Sequence, residues 1–231
     1  MNAHYTYFLI LTASVLGPIA LSFDKKLEFY KNWKYLFIAM LIPATIYICW
    51  DIYFTSIGIW HFNETYITGI KFINLPVEEL LFFFIIPYCC VFIYACIRCY
   101  FPRLKKNKQA DIFLKMLAIC LLIIGIINVD KYYTALTFIL TASFIMGLYF
   151  FRNYFKSFDA ISFLISFFIS LIPFLIVNGF LTAIPVVLYN EAENLNIKIF
   201  TIPVEDVFYG MLLILMNIVI YEKLKSNNFN Q

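Results

Sequence analysis

Two short stretches hold residues whose chemistry is at odds with their surroundings. Residues 75–87 read LPVEELLFFFIIP, and residues 201–210 read TIPVEDVFYG. Each opens on Pro-Val followed by two adjacent acids, Glu78-Glu79 in one and Glu205-Asp206 in the other. Each then enters an apolar run with no basic residue beside the acids. Proline suits the first position of a helix, so the acids fall in a first turn, where the helix dipole favours negative charge. Taken singly, such a pair is an acidic helix start. A carboxyl group at membrane depth is expensive, however, and usually lines a cavity or pathway. Apolar surroundings without a cation favour the neutral acid, the form that donates a proton in general acid catalysis. Two acids in contact tend to hold one proton between them. The pattern suits proton donation to an apolar substrate.

The elements that must position these acids are membrane helices. The chain has 231 residues, 63% hydrophobic and only 13% charged, with mean hydropathy +0.85; a soluble domain carries about a quarter charged residues. Apolar runs recur along the whole length, which excludes a soluble enzyme with one anchor. The pattern predicts an all-α polytopic protein with seven spans, at 5–23, 33–53, 76–97, 112–128, 132–151, 160–177 and 203–221, each near the roughly 20 residues that cross a bilayer. The first run has no basic leader and no small-residue cleavage site, so it is read as a retained span. Pro43, Pro87 and Pro173 lie inside spans and predict kinks.

The acid motif belongs to a longer repeat. At an offset of 127 and without a gap, residues 51–83 overlie 178–210. Asn63/Asn190, Glu64/Glu191, Lys71/Lys198, Pro76/Pro203, Val77/Val204 and Glu78/Glu205 are among the identities. Apolar composition alone does not align Asn, Glu, Lys and Pro. The same offset carries the first span onto the fifth and the second onto the sixth, so the chain reads as two three-helix units joined by a linker helix: residues 1–98, a basic loop and linker over 99–130, and residues 131–231. Four helices separate each element from its copy. That even number makes the repeats parallel, related by an axis along the membrane normal, and a site between them draws one acid pair from each half.

Other candidates lie near the acids. Asp51 pairs with Asn178 in the repeat, at the outer ends of the second and sixth spans. Aromatics, 20% of the chain, gather near the motifs, Phe82 and Tyr209 among them, and aromatic faces stabilise cations. Asp51, Asn178, Phe82 and Tyr209 are therefore the substrate-binding candidates. Asn63-Glu64 and Asn190-Glu191 are expected to structure the outer loops. Cys96 and Cys99 form a C-x-x-C without a second pair or a nearby histidine, so no metal site is expected. Nothing in the charge pattern points to nucleic acid.

The twin motifs PVEE (76–79) and PVED (203–206), their place at helix starts and the helix pattern resemble the membrane-integral lycopene cyclase domain family, in the fused form of the type built elsewhere from two three-helix subunits. The resemblance covers nearly the whole chain. It implies cyclisation of the linear ends of lycopene in carotenoid biosynthesis, with β-carotene the expected product. It also implies Glu78, Glu79, Glu205 and Asp206 as the catalytic acids, a lipophilic substrate taken from the bilayer, and room for association with other carotenoid enzymes. In the implied reaction a terminal double bond is protonated, a neighbouring double bond captures the cation, and a proton leaves. Reactant and product are isomers, so no cofactor is expected, and no G-x-G-x-x-G marks a dinucleotide fold. A carotenoid hydratase would share the substrate and the acid chemistry. A seven-helix small-molecule transporter would share the layout. A retinal protein would need a lysine in the last span, and a prenyltransferase would need Asp-rich metal motifs; neither is present.

Basic residues set the expected orientation. Lys25, Lys26, Lys31, Lys34, Arg98, Arg103, Lys105, Lys106, Lys108, Arg152, Lys156, Lys223 and Lys225 fall on one side, against Lys71, Lys131 and Lys198 on the other. The positive-inside rule places the first group in the cytoplasm, with the N-terminus outside. A single reporter cysteine at position 105, in a background without the native cysteines, should resist an impermeant maleimide in intact cells and react after lysis. Labelling of intact cells reverses the orientation.

Overall fold

The computed structural model describes residues 3–104 and 106–228; Lys105 of the basic third loop and residues 229–231 lie outside the described residues. Seven helices are long and apolar enough to cross a membrane: α1 (Thr6–Leu21), α2 (Trp33–Ser56), α3 (Val77–Tyr100), α4 (Lys108–Ile127), α5 (Tyr132–Phe150), α6 (Ala160–Ala183) and α7 (Val204–Asn228). The protein is an all-α polytopic membrane protein, two parallel three-helix repeats joined by α4. The helices run unbroken through Pro43, Pro87 and Pro173, and through Pro18 of α1. In α6 the helix continues six residues past the expected end, where Asn178 and Thr182 pack beneath the loops at the acid motifs, termed outer after the side the charge pattern leads one to expect; Pro185 follows shortly after its last turn, a residue unable to continue a helix.

The third helix of each repeat forms the centre. α3 packs on α1, α2, α6 and α7, and α7 packs on α2, α3, α5 and α6. The repeats are thus exchanged across the middle: α2 lies against α7, and its copy α6 lies against α3. The linker α4 stays outside, along α5. A Cβ on Gly125 would fall 2.8 Å from Ile139 Cγ1, so only glycine permits this close approach of two membrane helices.

Short ladders cover the outer ends. β1 (Trp60–Phe62) pairs antiparallel with β4 (Val187–Tyr189), in the register Trp60↔Tyr189, His61↔Leu188 and Phe62↔Val187. Since 61 plus 127 is 188, the central pair joins equivalent residues and lies on the pseudo-two-fold axis. The flanking bonds repeat accordingly: Asn63 N–H to Val186 O at 2.9 Å, and Asn190 N–H to Ile59 O at 2.8 Å. Each half also has its own hairpin, β2 (Lys71–Phe72) with β3 (Leu75–Pro76), and β5 (Lys198–Ile199) with β6 (Ile202–Pro203).

The polar identities of the repeat build these loops. Asn63 Oδ1 accepts from Thr65 N–H and Asn190 Oδ1 from Ala192 N–H, each opening a single turn of 3₁₀-helix. Glu64 pairs with Lys71, and Glu191 with Lys198. Gly69 (φ +82°) and its counterpart Asn196 (φ +57°) are left-handed, a conformation that glycine and asparagine adopt most readily. Asn63-Glu64 and Asn190-Glu191 thus hold the shape of their loops, as the sequence leads one to expect.

The axis predicts a cross-link. Residues directly opposed in an antiparallel pair have Cα atoms about 4.5–5.5 Å apart, within disulfide range. In a background without native cysteines, His61→Cys combined with Leu188→Cys should close a disulfide on mild oxidation. With a protease site inserted in the third loop, the cleaved chain should migrate as one band until reduced. Two bands without reductant would contradict the pairing.

Candidate functional site

The acids sit where the outer loops meet the helix starts. Pro76 is the residue before the helix, with extended backbone (φ −63°, ψ 148°), rather than the first helical residue the sequence suggests. Its place in β3 ties the hairpin directly to α3. Val77 begins the helix, and Glu78 and Glu79 occupy its first turn; Val204, Glu205 and Asp206 repeat this in α7. These are not solvent-facing caps. Glu78 and Glu205 have no exposed surface, and Glu79, Asp206 and Asp51 are also buried.

The two acids of each motif face different ways. Glu78 Oε1 accepts from the Thr68 backbone N–H at 2.7 Å, and Glu205 Oε1 from the Leu195 N–H at 2.7 Å. Thr68 and Leu195 are equivalent in the repeat, so one clamp recurs in both halves, each fastening its outer loop to its central helix. Thr134 Oγ1 adds a further bond to Glu205 Oε1, at 2.6 Å. The second oxygens of Glu78 and Glu205 have no hydrogen-bond partner among the described residues.

Glu79 and Asp206 turn instead into a shared cavity of about 140 Å³, with Asp51 and Asn178 beside them. Tyr7 of α1 donates to Glu79 Oε2 at 2.6 Å. Tyr133 of α5 donates to Asp206 Oδ1, and Tyr189 of β4 to Asp206 Oδ2 at 2.8 Å. Tyr209 of α7 crosses between halves to donate to Asp51 Oδ1 at 2.7 Å. The Asp51 carboxyl also meets that of Glu79, and the Asn178 amide meets Asp206. Burial and the Asp206 carboxyl hold the Tyr189 phenol well above its ordinary range, so this loop tyrosine stays a donor. No ion pair among the described residues involves these carboxyls.

Below the acids the cavity becomes apolar. Glu79, Phe82, Ile86, Cys90 and Ile93 line it from one face of α3, a helical spacing that spans about 21 Å at 1.5 Å per residue. Phe167, Phe174 and Val177 of α6 face them. Aromatic rings gather at the polar end: Tyr209 lies 4.7 Å from Tyr47 and 5.1 Å from Trp50, and Trp60 lies 5.2 Å from Tyr133, centroid to centroid. The result is an apolar groove closed at one end by carboxyls and aromatic faces.

The lycopene cyclase family matches residues 4–97 and again residues 130–224. The chain belongs to the lycopene cyclase family. The two matched segments are the two repeats, each carrying one acid motif, and α4 lies between them. No curated protein and no solved structure matches the chain. Family membership makes this a carotenoid cyclase in kind.

Within this lycopene cyclase family member, six of the eight sequence candidates line the groove: Glu79, Asp206, Asp51, Asn178, Phe82 and Tyr209. Glu78 and Glu205 stand behind their neighbours as clamps. Tyr7, Tyr133 and Tyr189 escaped the sequence reading. Tyr7 and Tyr133 do the same work in the two halves at an offset of 126, so the gap-free offset of 127 sets Tyr7 against Thr134 and hides the match. Tyr189 aligns with Phe62, which leaves no repeat signal.

The clamps carry a stability expectation. Glu78→Ala and Glu205→Ala each leave a half-buried backbone N–H without its acceptor, at a cost of about 1 kcal/mol or more. Glu78→Gln and Glu205→Gln keep a carbonyl oxygen in the accepting position and should retain most of the stability. Thermal unfolding in detergent, followed by size-exclusion fluorescence, measures both. Equal melting of the alanine variants and the parent would deny the clamp.

Proposed function

We propose that this chain converts the linear ends of lycopene to rings by acid-initiated, isomerising cyclisation, with β-carotene as product. The observation that carries the reading is the groove itself: an apolar channel suited to one end of a rod-like hydrocarbon, terminating in three carboxyl groups without a cation. An end inserted along α3 brings its terminal double bond to Glu79, Asp51 and Asp206. A carboxylic acid there protonates the double bond. The tertiary cation forms against Trp60, Tyr209 and Phe82, whose ring faces attract positive charge, and next to a carboxylate. The neighbouring double bond closes the ring, and loss of a proton restores neutrality. No electron is gained or lost, so the step needs no redox partner.

The acids divide their work in this reading. Glu79 and Asp206 touch the substrate, while Glu78 and Glu205 hold the outer loops over the site and fix the first turns that aim their neighbours. The outer loops exclude water, which would otherwise capture the cation and give a hydroxylated product. The groove is chemically compatible with a hydratase; the closed, aromatic roof favours cyclisation. The site faces the outer side of the membrane, with the C-terminus in the cytoplasm. In support, basic residues meet at the other end, where Lys26 lies over Tyr100, Lys106 bonds the Lys156 carbonyl and Lys223 lies over Tyr154.

Expression in a lycopene-accumulating bacterium should yield β-carotene on pigment chromatography. Purified protein given lycopene in heavy water, without nucleotide or reductant, should leave one non-exchanging deuterium in each new ring at the carbon first protonated, with the product otherwise of its isomer's mass. A mass gain of water would identify a hydratase, unchanged pigment would deny the reading, and rings free of deuterium would exclude a solvent-recharged acid. Glu79→Gln and Asp206→Asn should each lower turnover about 10²–10⁴-fold, with Glu78→Gln and Glu205→Gln impaired less.

A further inference from the structure

The repeat makes the two acid motifs look interchangeable, but their surroundings break the symmetry at one decisive position. The residue beside Glu79 is Asp51; the residue at the same repeat position beside Asp206 is Asn178. One half therefore sets acid against acid, and the other sets acid against amide.

An ionised carboxyl has no donor, so two carboxyls bond each other only when one of them carries a proton. Asp51 and Glu79 adjoin in one cavity, with no cation in an ion pair to either among the described residues, so that a bond between them calls for one shared proton. Each has its outer oxygen fastened by one tyrosine, Tyr209 on Asp51 Oδ1 and Tyr7 on Glu79 Oε2, which leaves the remaining oxygens to share the proton. Asp206 is solvated differently. Tyr133 donates to one of its oxygens, Tyr189 to the other, and the Asn178 amide is a third neighbour. Hydroxyl donors on both oxygens of one carboxyl suit its acceptor-only, ionised form. Two of those neighbours differ in kind across the repeat: the amide Asn178 stands opposite the acid Asp51, and the phenol Tyr189 opposite Phe62.

Resting on the cyclase reading above, the geometry points to a fixed division of labour: the Asp51–Glu79 pair holds and delivers the proton, and Asp206 is the carboxylate that faces the cation and takes the final proton away. The balance closes in three moves. The pair's proton bonds to the inner CH carbon of the terminal double bond, whose electrons leave the outer dimethyl carbon as a tertiary cation. The inner double bond attacks that carbon, and the ring closes with the charge moved inward. A ring C–H bond then breaks, its electrons form the ring double bond, and Asp206 accepts the proton. The pair ends one proton short and Asp206 one proton rich, and exchange with solvent resets both before the next turnover. Asp51, first read as a substrate-binding residue, becomes half of the acid.

Isotope labelling of recovered substrate separates the two roles. Full-length protein and its variants are given lycopene in heavy water, and both the rings formed and the deuterium content of unreacted lycopene are measured. Asp51→Asn should lower ring formation a hundredfold or more and return lycopene at natural isotopic abundance, because no cation forms. Glu79→Gln should do the same, and it carries the test if Asp51→Asn does not accumulate in the membrane. Asp206→Asn should also lose ring formation, but its acid pair remains, so recovered lycopene should carry deuterium at the terminal double bond, or appear as products diverted by water or by proton loss elsewhere. Asn178→Asp gives Asp206 an acid neighbour and should likewise slow ring formation while labelling persists. Deuterated substrate from Asp51→Asn or Glu79→Gln protein overturns the assignment. So does ring formation by Asp51→Asn protein within tenfold of the parent, or unlabelled, undiverted substrate from both Asp206→Asn and Asn178→Asp. Parent protein that neither cyclises nor labels lycopene overturns the cyclase reading itself, a result distinct from any pattern among the variants.

Discussion

Burying carboxyl groups at the end of a membrane helix without a cation is the constraint on which the rest of this structure depends. An unpaired buried charge costs several kcal/mol or more, and lysine or arginine would remove the cost by forming an ion pair, at the expense of the acid's reactivity. The protein uses neutral donors instead. Backbone N–H groups of two outer loops hold Glu78 and Glu205, while tyrosine hydroxyls from α1, α5, α7 and β4 hold Glu79, Asp51 and Asp206. Each such donor must arrive from a different element, so the loops must fold down, α1 and α5 must pack on the central helices, and α7 must meet α2.

Duplication supplies most of that scaffold at no added complexity. The same loop, clamp and hairpin are used twice, and the two halves join through a ladder whose middle pair, His61↔Leu188, lies on the axis. What duplication cannot supply is a difference between the two halves of the site. That comes from a few substitutions between the halves, Asp51 against Asn178, Phe62 against Tyr189 and Phe82 against Tyr209, all clustered at the groove. The remainder of the loop kept its polar identities because the clamp and the turns have the same requirement in each half.

The apolar part of the site follows from the same architecture. α3 presents one face to α6 along the groove, and the aromatic rings near its end come mainly from α2, α7 and the β1–β4 ladder. Apart from Ser14, Ser170 and Thr182, the side chains that line the groove away from the carboxyls are mainly apolar. The loops that Glu78 and Glu205 fasten cover the polar end. In the proposed reaction, acidity, cation stabilisation and water exclusion would share one structural cause, the folding of each outer loop onto the first turn of its own central helix.

By itself the sequence determined the class and the plan. Hydropathy identified seven spans because a membrane helix must satisfy its backbone internally and present apolar side chains over a bilayer's thickness. The identities at an offset of 127 revealed two parallel repeats, because Asn, Glu, Lys and Pro align only where a specific turn or clamp demands them. The twin motifs located the acids, and six of eight candidates reached the groove. Only the tertiary structure decided where each of those acids points. Adjacent residues in a helix point about 100° apart, so Glu78 and Glu79, indistinguishable as neighbours in the chain, face a loop backbone and a cavity respectively. The tyrosines that hold the site lie far from the acids in sequence: Tyr7 is 72 residues from Glu79, Tyr133 is 73 from Asp206, and Tyr209 is 158 from Asp51. A tyrosine near a membrane helix end reads in sequence as part of an interfacial belt. It becomes part of the site only when packing brings its hydroxyl to a particular carboxyl, and such contacts across the fold leave no periodic or local signal in a single chain.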